Sequence, residues 1–216
     1  MPYYMSMGKF PKKRHTQFRR PDGALYSEEL FGTEGFVGPS SIMYHIHPPT
    51  QVTGWKPLYS TKQEYVNINT MRMHHVMTQK SNGGGDPVKG RVVLFGNSDV
   101  EMSVCQPHEQ MDYHFKNGQG DECIFIHFGS GTLSTMFGTL KFGPKDYIVM
   151  PKGVIYKMVF NDRPYDGSDN DDFGGHSQAE MPLGKFIAFE TCNASHIMPP
   201  PGYIAKKTAQ FLEHAP

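Results

Sequence analysis

The stretch Gly118-Gln-Gly-Asp-Glu-Cys-Ile-Phe-Ile-His-Phe-Gly-Ser-Gly131 decides the fold. Two carboxylates open an apolar run and a Gly-Ser-Gly turn ends it, which is the pattern of a strand bounded by polar and flexible residues. Ile124 and Ile126 fall on one face of this run, because successive side chains of a strand point to opposite sides. One face of a barrel strand lies against the core, and this face is either that of the two isoleucines or that of Cys123, Phe125 and His127.

A second run of the same kind is Gly143-Pro-Lys-Asp-Tyr-Ile-Val-Met-Pro-Lys-Gly153, entered through a turn and left through Pro-x-Gly. Other short runs of β-branched and aromatic residues are separated by turn residues, as at Gly96-Asn-Ser-Asp99. The predicted strands are 41–47, 91–95, 101–105, 122–128, 132–137, 139–142, 147–150, 155–160 and 185–190. The 23 glycines and 17 prolines suit short strands joined by tight turns. The sequence therefore predicts an all-β sandwich or barrel.

The two runs resemble the two sequence motifs of the cupin β-barrel. The first motif contains a Glu followed, after six more residues, by a Gly, and Glu122 and Gly129 have this spacing. The second motif contains Pro-x-Gly, which Pro151 and Gly153 match. This resemblance implies a cupin-like β-barrel or sandwich, preceded here by an extended, strand-rich arm.

The metal ligands of a metal-binding cupin do not follow from the same alignment. Its His-x-His would fall near residues 115–118, where there is no histidine and His114 lies just outside. The histidine after the second motif is replaced by Tyr156, so Glu122 is the most that remains of four expected ligands. A metal needs several donors that converge on one point, and we expect a barrel without metal.

Three segments are predicted along the chain. Residues 1–40 form an irregular basic arm, residues 41–198 form the metal-free cupin-like β domain, and residues 199–216 begin a crossover toward a further, carboxy-terminal cupin. A solvated or interface-covering arm is favoured over an anion-binding one, because its basic run is short in a neutral chain. The basic residues are Lys12, Lys13, Arg14, Arg19 and Arg20. A polar excursion at 161–182 is too polar for core, and 208–214 has a helical pattern.

The composition excludes some classes of partner. Lys plus Arg and Asp plus Glu both number 21, so nothing in the net charge attracts nucleic acid or an anionic membrane. No apolar run approaches the roughly 20 residues of a membrane helix, and the first ten residues lack a signal-peptide pattern. Cys105, Cys123 and Cys192 are scattered and odd in number, which favours reduced thiols in the cytoplasm.

Four other groups of residues imitate sites. His45 and His47 share a strand face but lack a nearby acidic residue in sequence, which favours hydrogen-bonded histidines over a metal site. His74-His75 point to opposite faces of a strand, and a loop cluster contains His108 and His114. Residues 169–180 resemble a calcium loop, but a Phe stands at a ligand position and the flanks are strand-like, so we interpret the match as coincidence.

Segments 8–20, 26–32, 35–49 and 115–156, in this order and spacing, resemble the amino-terminal half of bacterial-type homogentisate 1,2-dioxygenases. The resemblance implies cleavage of the aromatic ring of homogentisate by O₂ in tyrosine and phenylalanine breakdown. It places the non-haem Fe(II), bound by two His and one Glu, in the carboxy-terminal half of such enzymes. We therefore assign no catalytic, metal or cofactor-binding residue to this chain and expect no cofactor in it.

In this interpretation the chain is scaffold and interface, and the chain alone is predicted to be inactive. Its expected partners are the carboxy-terminal half or further copies of itself, with homogentisate and O₂ bound by the complete enzyme. Two alternatives stay open: a stand-alone, non-catalytic cupin that binds a small ligand or a protein, and a cupin dioxygenase acting on a related dihydroxy acid.

Overall fold

The computed structural model describes residues 17–60, 72–78, 81, 84–162 and 182–197. Within these ranges the regular structure is eleven β-strands without an α-helix, and so no described segment is a helix that could span a membrane. The strands are β1 (Ser27–Glu34), β2 (Val37–His45), β3 (Arg91–Gly96), β4 (Val100–Cys105), β5 (Phe115–Lys116), β6 (Glu122–Phe128), β7 (Gly131–Thr135), β8 (Gly138–Phe142), β9 (Tyr147–Met150), β10 (Ile155–Phe160) and β11 (Lys185–Thr191). The predicted helix at 208–214, the crossover at 199–216 and most of the excursion at 161–182 lie outside the described residues.

The chain divides into two compact units, one made of residues 1–61 with 198–216 and the other of residues 62–197. In the first unit, β1 and β2 form an antiparallel hairpin in which Leu30 faces Ile42 and Glu28 faces Tyr44. Strand β1 lies wholly within the segment 1–40 that the sequence predicted to be irregular, which is a correction. The sequence of β1 lacks an alternating apolar pattern, and its strand conformation comes from pairing with β2.

The second unit contains two antiparallel sheets. One has five strands in the order β3-β4-β11-β6-β9, and the other has four in the order β5-β10-β7-β8. The eight strands predicted between residues 91 and 190 are all present, and the predicted turn at 96–99 joins β3 to β4 with the Asn97 side chain accepting from the backbone N–H of Asp99 and Val100. Strand β5 is only two residues long and carries no pattern that could predict it.

The core lies where the two sheets face each other. Ile124 and Ile126 of β6 are fully buried, so of the two faces of this strand theirs is the one that points inward. Aromatic stacking connects the sheets, since Phe160 of β10 stacks on Phe186 of β11 at 6.5 Å between ring centroids. Within the four-stranded sheet, Phe160 also makes an edge contact with Phe142 of β8 at 5.1 Å. The fold is all-β, as the sequence predicted, and the strands of the two motif runs, β6 and β9, are neighbours in the five-stranded sheet.

Truncation of Ile126 should measure the contribution of this core. Ile126→Ala should lower the free energy of unfolding by about 2–5 kcal/mol, because it removes buried methyl groups and leaves a cavity. The matched control is His127→Ala on the same strand, where the side chain is exposed. Urea denaturation of both variants tests the difference, and an unchanged midpoint for Ile126→Ala would contradict the inward orientation of this face.

Candidate functional site

The two motif positions meet inside the second unit. Glu122 opens β6 with none of its surface exposed, and Tyr156 of β10, 1% exposed, reaches it from the opposite sheet. The Tyr156 hydroxyl donates a hydrogen bond of 2.6 Å to Oε2 of Glu122. The two residues that the motif alignment places at metal-ligand positions are therefore in direct contact.

A third residue, Arg91, completes this cluster from the first position of β3. Its Nη1 donates to Oε1 of Glu122 at 2.6 Å, and its Nη2 donates to the Tyr156 hydroxyl oxygen at 3.0 Å. Its Nε donates at 3.0 Å to the carbonyl oxygen of Pro87, in the turn before the strand. The guanidinium thus contacts both motif residues at once, and the three side chains form a closed ring of hydrogen bonds.

Two more carboxylates lie beside Glu122 on the five-stranded sheet. Strand pairing places Glu190 of β11 between Glu122 of β6 and Glu101 of β4. Asn117 donates from Nδ2 to Oε1 of Glu190 at 2.7 Å, and Arg91 Nη1 lies 4.0 Å from Oε2 of Glu190. Like charges directly opposite one another destabilise a sheet, so the row depends on these neighbouring donors.

The electrostatics of the cluster follow from burial and proximity. Burial raises the pKa of the Tyr156 hydroxyl well above its ordinary value, so this group stays a proton donor. Burial alone would lower the pKa of Arg91, but Tyr156 and Glu122 together raise it, and the guanidinium keeps its charge. Burial, with Glu122 and Glu101 adding to it, raises the pKa of Glu190 against the opposing effects of Asn117 and Arg91.

Replacing Glu190 should reveal the cost of this third carboxylate. A raised pKa means that the folded chain holds the Glu190 proton more tightly than the unfolded chain, so stability falls as pH rises above the ordinary value of 4.5. Glu190→Gln removes that charge and keeps an oxygen for Asn117. We expect the variant to be at least as stable as the parent at neutral pH and to lose this advantage near pH 4.5. Denaturation at both pH values checks this, and a clear loss of stability at neutral pH would contradict it.

The cluster does not fit a catalytic iron. Among the described residues there is no group of three or more His, Cys, Asp or Glu side chains placed to hold a metal ion. Arg91 can donate hydrogen bonds but cannot ligate a cation, and the Tyr156 proton is already engaged with Glu122. One carboxylate bound by a guanidinium is not the set of converging donors that a divalent ion needs.

Among the described residues, the histidines that resembled functional sites in the sequence do not come together in a metal-binding group. His45 is hydrogen-bonded through Nε2 to Oε2 of Glu29 at 2.8 Å, an acidic partner supplied by the neighbouring strand and not visible near it in sequence. His74 Nδ1 contacts the carbonyl oxygen of Arg72 at 2.8 Å. The calcium-like segment 169–180 lies outside the described residues.

An apolar cavity of about 470 Å³ opens between the edge strands β8 and β9. Its walls include Leu133, Leu140, Phe142, Ile148 and Met150. Its volume is in the range of small-molecule sites, but such sites also need placed polar groups, and Asp146 at its rim is already bonded to the backbone N–H of Gly143 at 2.8 Å. The cavity is mostly apolar, and its polar lining also includes Thr135, Lys141 and Tyr147.

Comparisons with known proteins give the lineage. A protein of Saccharolobus solfataricus with the name "putative dioxygenase" is 33% identical over 164 residues, which are 74% of this chain and 42% of that protein. The chain thus spans less than half the length of this relative. A solved RmlC-like cupin from Shewanella frigidimarina is 11% identical, with 56% of this chain and 92% of that chain covered at a TM-score of 0.38. A cupin from Bacteroides fragilis is 13% identical, with 61% and 92% covered at 0.36.

A family model described as the amino-terminal part of homogentisate 1,2-dioxygenase matches residues 6–185. This match includes the hairpin β1–β2 and nearly all of the two-sheet unit up to the start of β11. The chain belongs to the family of homogentisate 1,2-dioxygenase amino-terminal domains.

Proposed function

We propose that this chain is the non-catalytic amino-terminal half of a cytoplasmic homogentisate 1,2-dioxygenase. The complete enzyme would open the aromatic ring of homogentisate with O₂ at a non-haem Fe(II), in tyrosine and phenylalanine breakdown. The observation that supports the division of labour is the ring of Arg91, Glu122 and Tyr156, which occupies both metal-ligand positions of the barrel. The iron would belong to a carboxy-terminal half, and this half would supply scaffold and interface.

Complementation tests this proposal. The chain is co-expressed with the carboxy-terminal half of a full-length relative that cleaves homogentisate, and ring cleavage is followed by the absorbance of the opened product. We expect a soluble complex and activity with both halves, and neither iron nor activity in the chain alone. The matched control is the same carboxy-terminal half with its iron-binding histidines replaced, which should give a complex without activity.

Two results would contradict the proposal. Stoichiometric iron in the chain alone, lost in Glu122→Gln, would place a metal in this barrel. If the chain is monodisperse and does not bind the carboxy-terminal half, it does not act as the scaffold and interface of such an enzyme. Cleavage of another dihydroxy aromatic acid in preference to homogentisate would support the dioxygenase relationship and change the substrate.

A second candidate function is a non-catalytic cupin that binds a small ligand, and the observation that favours it is the cavity between β8 and β9. Leu140→Trp would fill this cavity from an exposed edge strand, with Thr139→Trp, the exposed neighbouring position on β8 that does not line the cavity, as control. If a panel of small apolar compounds raises the melting temperature of the parent and of the control but not of Leu140→Trp, ligand binding is supported.

A further inference from the structure

A metal ion in a cupin barrel has to touch the ligand positions of both motifs at once. In this chain the group that touches both is the guanidinium of Arg91, which bonds to Glu122 through Nη1 and to Tyr156 through Nη2. The cluster therefore contains a cation in contact with both motif residues, and this cation is covalently part of the chain.

We propose that the Arg91 guanidinium is a built-in cation that replaces the metal of the barrel and permanently closes its interior site. It balances the charge of Glu122, a carboxylate without any exposed surface. It also joins three strands from both sheets, since β3 and β6 belong to the five-stranded sheet and β10 to the four-stranded sheet. This proposal is independent of the ring-cleaving activity and concerns the barrel alone.

The chemistry of the three groups suits a guanidinium and not a metal. A guanidinium is planar and has donors that point in fixed, separate directions, so one edge can serve the carboxylate while the other serves a hydroxyl oxygen. Tyr156 is the complementary partner, because its oxygen accepts from Arg91 and its proton goes to Glu122. The Tyr156 hydroxyl accepts and donates at a single oxygen, whereas a histidine at this position would carry its acceptor and its donor on separate ring nitrogens.

The Arg91 side chain is hydrogen-bonded at Nε as well as at its two terminal nitrogens. Its Nε is anchored on the carbonyl oxygen of Pro87, and only 11% of the side chain is exposed. Removing the side chain would therefore leave a space lined by Glu122 and Tyr156, with one buried negative charge unpaired. The proposal predicts that a free guanidinium ion can enter that space.

The first test is chemical rescue of Arg91→Ala. The variant should have a melting temperature lower by roughly 10 °C, because breaking one partner of a buried pair leaves an uncompensated charge. Methylguanidinium chloride at low millimolar concentration should recover part of this loss, while the same concentration of sodium chloride or methylammonium chloride should recover less. The parent should show no such gain, because its site is already filled.

The second test is a double-mutant cycle, which remains measurable if Arg91→Ala does not fold. Arg91→Met fills a similar volume without charge, and Glu122→Gln removes the opposite charge while keeping an acceptor for Tyr156. Each single variant should lose stability, and Arg91→Met with Glu122→Gln should be more stable than Arg91→Met alone. Lys141→Met, an exposed lysine on β8, is the control for loss of a positive charge.

Three outcomes would overturn the proposal. They are full stability of Arg91→Ala, absence of any specific effect of methylguanidinium on it, and a double variant no more stable than Arg91→Met. Incubation of the parent with Mn²⁺ or Zn²⁺ adds an independent readout. One equivalent of metal bound in the parent and lost in Glu122→Gln would show that the interior site is open and would also overturn the proposal.

Discussion

Gly120→Ala should prevent folding of the two-sheet unit, whereas Gly118→Ala, two residues earlier, should be tolerated. A Cβ at Gly120 would overlap the backbone carbonyl oxygen of Thr191 at the end of β11 and would lie 2.7 Å from its Oγ1. Real Cβ atoms do not approach backbone so closely, and close packing of the interior gives the chain no room to yield. At Gly118 no heavy atom lies within 4 Å of the added Cβ.

The backbone near Gly120 cannot simply move away, because the N–H and the carbonyl oxygen of the next residue are both hydrogen-bonded to Thr191. Asp121 N–H donates to Thr191 Oγ1 at 2.8 Å, and Thr191 N–H donates to the Asp121 carbonyl oxygen at 2.9 Å. Any shift of this segment would also displace Glu122, the next residue, from its ring with Arg91 and Tyr156. The Gly120 position therefore couples the close approach of two strands to the geometry of the buried cluster.

The measurement is soluble yield followed by far-UV circular dichroism and urea denaturation of both glycine variants. We expect Gly120→Ala to be insoluble or unfolded and Gly118→Ala to unfold at the same urea concentration as the parent. Equal stability of the two variants would mean that the segment before β6 passes β11 at a greater distance than the structure shows.

The two motif runs were predictable because a strand has a period of two and a turn has a distinctive composition. Glu122 and Tyr156 were likewise placed by spacing, since the motifs fix where the metal-ligand positions fall. Arg91 was not recognised, because a lone arginine at the start of a strand is normally exposed. Its partners are 31 and 65 residues away in sequence, and only the folding of both sheets brings them together.

The hairpin of β1 and β2 was less predictable from the sequence than the two motif runs. Strand β2 was predicted in part because Ile42 and Tyr44 fall on one face and Met43 and His45 on the other, but β1 has no such alternation. The residue pairing in a two-stranded hairpin is set by the register of its strands, because such a hairpin has no buried core of its own. For the same reason the pair of His45 with Glu29 was not visible, since it depends on which residues of β1 and β2 lie side by side.

If Arg91 replaces the metal of the barrel, as we propose, the cluster gives a physical reason why the barrel keeps its shape without a metal. A cupin that lost its metal ligands would be left with a buried carboxylate at the first motif, which is costly unless it is paired and hydrogen-bonded. In this chain Arg91 and Tyr156 supply that compensation from within the protein. Under this proposal, the barrel should fold without binding a metal.

Asp86→Ala should be the most destabilising substitution of a polar side chain in the turn that precedes β3. Asp86 is 3% exposed, and its Oδ1 accepts from the backbone N–H of Val88 at 2.8 Å, that of Lys89 at 3.0 Å and the Tyr113 hydroxyl at 2.9 Å. Hydrogen bonds to a charged group are worth about 1.5–3 kcal/mol each, and removing the acceptor leaves three part-buried donors without this partner. We therefore expect a loss of about 3 kcal/mol or more in the free energy of unfolding.

Asp86→Asn is the matched control, because it keeps an Oδ1 acceptor for the same three donors and removes only the charge. The turn also carries the Pro87 carbonyl that anchors Arg91 Nε, so the alanine variant should loosen the buried ring as well. Urea denaturation at neutral pH should rank the parent first, Asp86→Asn second and Asp86→Ala last. Equal stability of Asp86→Ala and the parent would show that these hydrogen bonds contribute nothing net.

The dependence on pH separates the charge of Asp86 from its hydrogen bonds. Burial alone would raise the pKa of Asp86, but the N–H groups of Lys89 and Val88, the Tyr113 hydroxyl and the Lys89 ammonium together lower it below 3.8. The folded carboxyl thus holds its proton more weakly than the unfolded one, and its stabilising contribution is complete above pH 3.8 and is lost as pH falls through the lower, folded value. The stability difference between the parent and Asp86→Asn should therefore be constant from neutral pH down to about pH 3.8 and shrink below it. A difference that persists unchanged in acid would assign the effect of the substitution to the geometry of the amide and not to the charge of the carboxylate.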